Sequence, residues 1–319
     1  MSESTKIEWC DASWNPIRGC SMAKGSETGG CLNCYAARMC ARGLPGLNSP
    51  TTGEPFAVMR DSGPRWTGKV ELIESALELP LYWRKPRRIF VNSMSDLFHE
   101  SLPNEAIDRV FAVMALCPQH TFQVLTKRPE RMVAYLTGGP WGHIEQRASE
   151  TIGTRREIPV EHLPLAHVHF GISCENQETA DARIPLLLQT PAAVRFLSLE
   201  PLLSPVDLSK WHNTVSGIGD SSSEILVGIH QVIVGGESGP GARPMHPDWV
   251  RSIIQQCKAA RVAVFVKQIC ARGRKIPFEL WPADLQVRES IETHNEPSGV
   301  RSLAEPRGVS YRRSKEGTR

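Results

Sequence analysis

The chain has 319 residues, 40% of them hydrophobic and 22% charged, with a formal net charge of +3. That length can bury a large core, as one α/β domain or two smaller ones, and the charge is too small to argue for nucleic-acid binding by itself. With no run of about 18 apolar residues, no membrane span is expected.

The segment Met1-Ser2-Glu3-Ser4-Thr5-Lys6 lacks the apolar core of a signal peptide, which predicts a cytoplasmic protein with reduced thiols. Nine cysteines, an odd number, then argue against a disulfide framework. A first strand is expected near Trp14 to Ile17. It leads into the densest cysteine group: Cys20, then Cys31-Leu32-Asn33-Cys34, running on into helix-like Tyr35 to Met39. Three thiolates from one loop can hold a metal or cluster and leave a position open. A closed zinc site wants four ligands, whereas a four-iron cluster on three cysteines has one iron free. Three readings stand: an open cluster, a structural zinc site completed by Cys10 or a histidine, or inert buried thiols. No second C-x-x-C or paired histidine follows at finger spacing, which weakens the zinc reading. Cys40 falls nearly two helical turns after Cys34 and points away from the loop. Of the remaining cysteines, Cys257 fits a helical core face, and Cys174 follows a strand.

Residues 42–68, rich in Gly, Pro, Ser and Thr, read as a long loop beside the cysteines. Short apolar runs then alternate with helix-like stretches. Strands are predicted over 88–92, 121–125, 168–172, 194–199, 231–234 and 262–266, continuous enough to be buried on both faces. Helices are predicted over 104–116, 177–189 and 247–260, the last with Pro247 near its start, where proline is tolerated. This alternation means a parallel sheet. The expected fold class is α/β, a TIM-like (β/α) barrel, partial or complete, with a doubly wound open sheet as the alternative. The barrel domain is expected over 1–275, with the cysteine loop at 20–34 and an insertion near 209–229. A C-terminal extension over 276–319 is expected to be partly disordered. Its basic residues, Arg307, Arg312, Arg313, Lys315 and Arg319, read as a solvated tail or as phosphate contacts.

Chemistry in a parallel α/β fold sits at the carboxyl ends of the strands. The successive strand ends carry Asp96; Lys127 and Arg128; Ser173, Glu175 and Asn176; Glu200; Gly235, Gly236 and Glu237; and Lys267. Taken singly, Asp96, Ser173 and Asn176 are also ordinary helix caps. The charged residues are poor caps, and their convergence on one mouth points to a site. Gly235-Gly236-Glu237 reads as a tight turn or as backbone approaching a ligand, with a carboxylate for an ammonium or ribose hydroxyl. Arg128 is either a planar fork for phosphate or is paired internally with Glu200 or Glu237.

Several strings together carry a resemblance: Trp14-Asn15-Pro16-Ile17-Arg18-Gly19-Cys20, Cys31 to Ala36, Val91 to His99, Leu125 to Glu130, Ser198 to Leu202, Gly235 to Pro240 and Phe265 to Gln268. Over roughly residues 6–270 the chain resembles the phage- and bacterium-borne three-cysteine proteins of the radical-SAM-like type, a family of unknown function. The C-x-x-C-Tyr ending is more distantly similar to the spore photoproduct lyase group, which repairs DNA by radical chemistry. The resemblance implies a partial TIM-like barrel with a 4Fe-4S cluster on Cys20, Cys31 and Cys34. Its open iron would chelate S-adenosyl-L-methionine, whose reductive cleavage yields a 5′-deoxyadenosyl radical. On that reading Gly235, Gly236, Glu237, Ser173, Glu175 and Asn176 are placed to hold the cofactor. Asp96, Lys127, Arg128, Glu200 and Lys267 would line the substrate pocket. The implied partners are a nucleic acid or nucleotide substrate and an electron donor. The cysteine spacing departs from the usual C-x-x-x-C-x-x-C, since ten residues separate Cys20 from Cys31, and Asn33 stands where an aromatic often precedes the third cysteine. A flexible loop of that length is cheap to close. The rival is a non-catalytic, zinc-stabilised module that binds nucleic acid or a partner protein.

Overall fold

The computed structural model describes residues 5, 7–44, 46–152, 164–213, 225–226, 228–271, 273–291 and 311–313. Seven strands pair into one sheet: β1 (Ala12–Trp14), β2 (Arg88–Val91), β3 (Thr121–Thr126), β4 (Val168–Ser173), β5 (Val194–Leu199), β6 (Gln231–Gly235) and β7 (Ala263–Gln268). Their order across the sheet is their order in the chain, and every neighbouring pair is parallel. A doubly wound sheet needs a point where strand order reverses. This one has none, so it winds one way and curls into a half-barrel flanked by helices.

Side-chain alternation sorts each strand into two faces. Ile89, Val91, Leu197, Leu199, Val232, Val234, Val264 and Val266 face the helices and join the main core. Phe90, Phe196, Ile233 and Phe265 point into the barrel, where they pack with Trp9. Both faces are therefore apolar, which is why the strands read as continuous runs. Trp9, on the segment before β1, fills the interior, its ring 4.7 Å from Phe90 and 6.3 Å from Phe196. The glycine inside β4 has a packing reason: a Cβ on Gly171 would overlap the Phe196 ring.

The helices are α1 (Tyr35–Cys40), α2 (Asn104–Leu116), α3 (Pro129–Thr137), α4 (Trp141–Ile152), α5 (Gln177–Gln189) and α6 (Pro247–Ala259). The periodicity of α2, α5 and α6 marks them in the sequence; α3 and α4 are additions. Residues 42–68 are not loop throughout, because Ala57–Arg60 and Gly63–Trp66 form an antiparallel hairpin. Its neighbour is α1, where Cys40 is buried with Ala36, Ala37 and Phe56.

Of the insertion near 209–229, a ribbon of His212–Asn213 against Ile225–Leu226 is described. Arg307, Lys315 and Arg319 lie outside the described residues, while Arg312 and Arg313 belong to a strand paired with Glu289–Ile291. Among the described residues no helix is long and apolar enough to cross a membrane.

Candidate functional site

The loop that carries the cysteines lies across the carboxyl ends of the strands and is pinned at three points by ion pairs. At its start, Arg128, the residue before α3, donates from Nη2 to the Ser21 backbone oxygen at 3.2 Å and to Ser21 Oγ at 3.0 Å. Its Nη1 reaches Cys20 Sγ at 3.7 Å. The guanidinium is itself fixed by Asp96 at 3.1 Å and Glu100 at 2.8 Å. Burial alone would lower the pKa of Arg128; Asp96, Cys20 and Glu100 together raise it.

In the middle of the loop the anchor is Glu175, which is fully buried. It accepts from Lys127 Nζ, from Arg183 Nη1 at 3.2 Å and from the Gly30 backbone N–H at 3.3 Å. Burial pushes its pKa up, but Lys127 and Arg183 outweigh this and hold it below the usual carboxylate range. Arg183 also donates to Ser26 Oγ at 2.7 Å. Gly30 fits only because it is glycine: a Cβ there would stand 2.7 Å from Lys127 Nζ and 2.8 Å from Pro201.

At the far end Glu237 takes Asn33 Nδ2 at 3.1 Å and Arg243 through both oxygens, Nη2 at 2.6 Å and Nε at 2.9 Å. Arg243 in turn donates to the Thr28 and Gly29 carbonyls. Burial raises the pKa of Glu237, and the bonds from Arg243 more than reverse it.

Above these pins lies a cavity of about 400 Å³, lined by Cys20, Cys31 and Cys34 on one side. Asp96, Lys127, Arg128, Ser173, Glu200, Gly236, Glu237 and Lys267 also reach it, so most of the residues expected at the strand ends do converge. Three do not line it. Asn176 caps α5, its side chain accepting from the Thr179 backbone N–H at 2.9 Å. Glu175 lies beneath as the ion-pair anchor, and Gly235 ends β6 with its carbonyl bonded to the Leu202 N–H at 3.0 Å. Arg128 is paired internally, with Asp96 and Glu100 rather than with Glu200 or Glu237. Glu200 meets Lys267 at 2.9 Å and Ser198 Oγ at 3.2 Å.

A family described as a protein of unknown function (DUF5131) matches residues 4–299. The chain belongs to the DUF5131 family. No curated protein and no solved structure matches it.

In this DUF5131 chain the three cysteines of the loop line one cavity together. Cys20, Cys31 and Cys34 are free thiols. Burial pushes Cys20 up to about 12, Arg128 opposes this, and the charges of Cys34 and Cys31 act on it directly. Cys10 belongs to the barrel interior with Trp9 and Phe90, and burial pushes its thiol up to about 12 as well. Among the described residues no three His, Cys, Asp or Glu side chains are gathered closely enough for a single metal ion.

The sequence reading missed several residues. Arg183 sits on the buried stripe of α5 with Thr179, Ala180, Ile184 and Leu187; a charge on that stripe was the available signal. Asn92 lines the cavity with φ +62° and its Nδ2 unpartnered among the described residues. Trp9, Tyr35, Trp66 and Phe90 supply aromatic walls, with Tyr35 donating to the Ser93 carbonyl at 2.7 Å. Arg243 has no spacing that marks it.

Proposed function

We propose that this chain is an iron–sulfur enzyme of the radical-SAM-like type, acting on a nucleotide or nucleic acid. Cys20, Cys31 and Cys34 would hold a 4Fe-4S cluster at the cavity wall, with S-adenosylmethionine bound beside it. One observation carries the reading: three thiols of a single pinned loop face one cavity at the carboxyl end of a half-barrel. The cluster would supply single electrons to the bound cofactor, and the protein supplies binding, orientation and exclusion of water.

The chain's own residues divide that work. Arg128 keeps a positive charge beside Cys20, which favours its thiolate. Arg183 and Glu175 fix the middle of the loop, and Arg243 and Glu237 fix Asn33 between the last two cysteines. Glu237 therefore positions the loop, since both its oxygens are engaged inside the protein. Glu200 and Lys267 form an ion pair that faces the cavity beside Ser198. The aromatic walls suit a flat base, and the volume lies in the range of small-molecule and cofactor sites.

The test is metal content after anaerobic reconstitution. The full chain should hold about four irons, and Cys34→Ala should lose the iron and its visible absorption. A Cys34→Ala variant with undiminished iron would refute the ligand assignment.

A further inference from the structure

Three hydroxyl residues, Tyr35, Ser93 and Ser95, line the main cavity. Each commits its proton to a fixed acceptor within the protein. Tyr35 donates to the Ser93 carbonyl at 2.7 Å, and Ser95 Oγ to the Ile17 carbonyl at 2.9 Å. Ser93 Oγ donates to Asn15 Oδ1 at 3.1 Å. That amide oxygen also accepts from the Met94 N–H at 2.9 Å, which fixes which end of the amide faces Ser93. A hydroxyl has one proton and two acceptor sites. Among the described residues none of the three oxygens accepts a hydrogen bond, so these hydroxyls have only acceptor sites left to offer a ligand.

Ser21, which lines the same cavity, is set the other way. Its Oγ accepts from Arg128 Nη2 at 3.0 Å and lies 2.8 Å from His99 Nε2. His99 Nδ1 accepts from the Ser101 N–H at 3.1 Å, so the proton of the neutral ring is on Nε2 and is donated to Ser21. Both acceptor sites of Ser21 are filled, and only its proton is left to offer. The lining cations are each paired, Arg128 with Asp96, Lys127 with Glu175 and Lys267 with Glu200, so neither sign of charge is favoured. A ligand that complements Tyr35, Ser93 and Ser95 is therefore neutral at that point and donates hydrogen bonds there. Two adjacent hydroxyls do this, and Tyr35 and Trp66 supply flat apolar faces in the same cavity.

We propose that Tyr35, Ser93 and Ser95 read the vicinal hydroxyls of a ribose, so that the cavity takes a ribonucleoside or ribonucleotide in preference to one lacking those hydroxyls. The proposal deepens the substrate class named above and rests on it for the nucleoside alone. Recognition of the sugar needs no cluster, so its failure and that of the iron–sulfur reading are separable.

The test is calorimetric titration of the full chain, without reconstitution, with adenosine and with 2′,3′-dideoxyadenosine. Adenosine should bind about tenfold or more tighter, the worth of a hydrogen bond or two. Ser93→Ala leaves Asn15 bonded to the Met94 N–H, and Tyr35→Phe keeps the ring. Each should weaken adenosine and leave the dideoxy analogue unaltered, so that the discrimination shrinks. The proposal is overturned if adenosine does not bind, if the two nucleosides bind equally, or if both variants keep the parent's discrimination by weakening the two alike or not at all. A chain that discriminates the nucleosides yet holds no iron after reconstitution would support the proposal and refute the cluster.

Discussion

Arg128 directs Nη1 at the Cys20 sulfur from 3.7 Å. The same guanidinium closes on Asp96 at 3.1 Å, and both side chains are only 6% exposed. The start of the cysteine loop is thus tied to the ends of two neighbouring strands by one buried ion pair. Removing one partner of such a pair leaves a charge buried and uncompensated. Arg128→Gln should cost about 3–5 kcal/mol in urea denaturation. Arg128→Lys keeps the charge but not the planar fork, and should cost less. An unchanged denaturation midpoint for Arg128→Gln would remove the residue from this role.

Gly30 tests the middle pin. A methyl group there meets Lys127 and Pro201, so Gly30→Ala must displace either these two neighbours or residue 30 itself, which immediately precedes Cys31. The expected variant folds, because the core strands are untouched, yet retains clearly less iron than the parent after reconstitution. Equal retention would show that the Gly30 contact does not set the position of Cys31.

Gly171 tests the barrel interior instead. Gly171→Ala drives a methyl into the Phe196 ring, and overpacking of this kind costs about 1–3 kcal/mol. Thermal denaturation of the variant should show a lower midpoint. The double variant Gly171→Ala/Phe196→Leu should recover part of the loss; no recovery would mean that the two side chains do not compete for the same space.

His169, inside the barrel on β4, sets a pH dependence. Burial, with His230 and His167 nearby, lowers its pKa from 6.5 to about 3. Between those values the unfolded chain binds the proton and the folded chain does not. Stability therefore rises with pH across that window and is lost on acidification below about 6.5, by about 1.4 kcal/mol per pH unit. His120, His167 and His230 are lowered too and act in the same direction. Denaturation of His169→Asn measured at several pH values should show a shallower slope; an identical slope would exclude His169 as a contributor.

Much of the fold was legible because both faces of each strand are covered. Ile89 and Val91 turn to the helices while Phe90 turns inward, so RIFVN reads as one apolar run. The helices with a single buried stripe were equally plain. The start of α3 was masked by Lys127-Arg128-Pro129, read for its charges rather than for a proline at the first helical position. At the site, the sequence placed the charges at the strand ends but did not pair them. Arg128 with Asp96, Glu175 with Arg183 and Glu237 with Arg243 are contacts of three-dimensional folding. They turn several expected ligand-binding groups into supports for the cysteine loop. Asn176 shows the opposite case, a polar strand-end residue whose capping role was readable from Asn-x-x-Thr alone.

A cluster held by Cys20, Cys31 and Cys34 alone would leave one iron open. Electron paramagnetic resonance of the anaerobically reconstituted, reduced chain, with and without S-adenosylmethionine, tests it most directly. The expected result is about four irons per chain and a cluster spectrum that changes when S-adenosylmethionine is added. About one zinc per chain and no iron, or a cluster spectrum indifferent to S-adenosylmethionine, would contradict it.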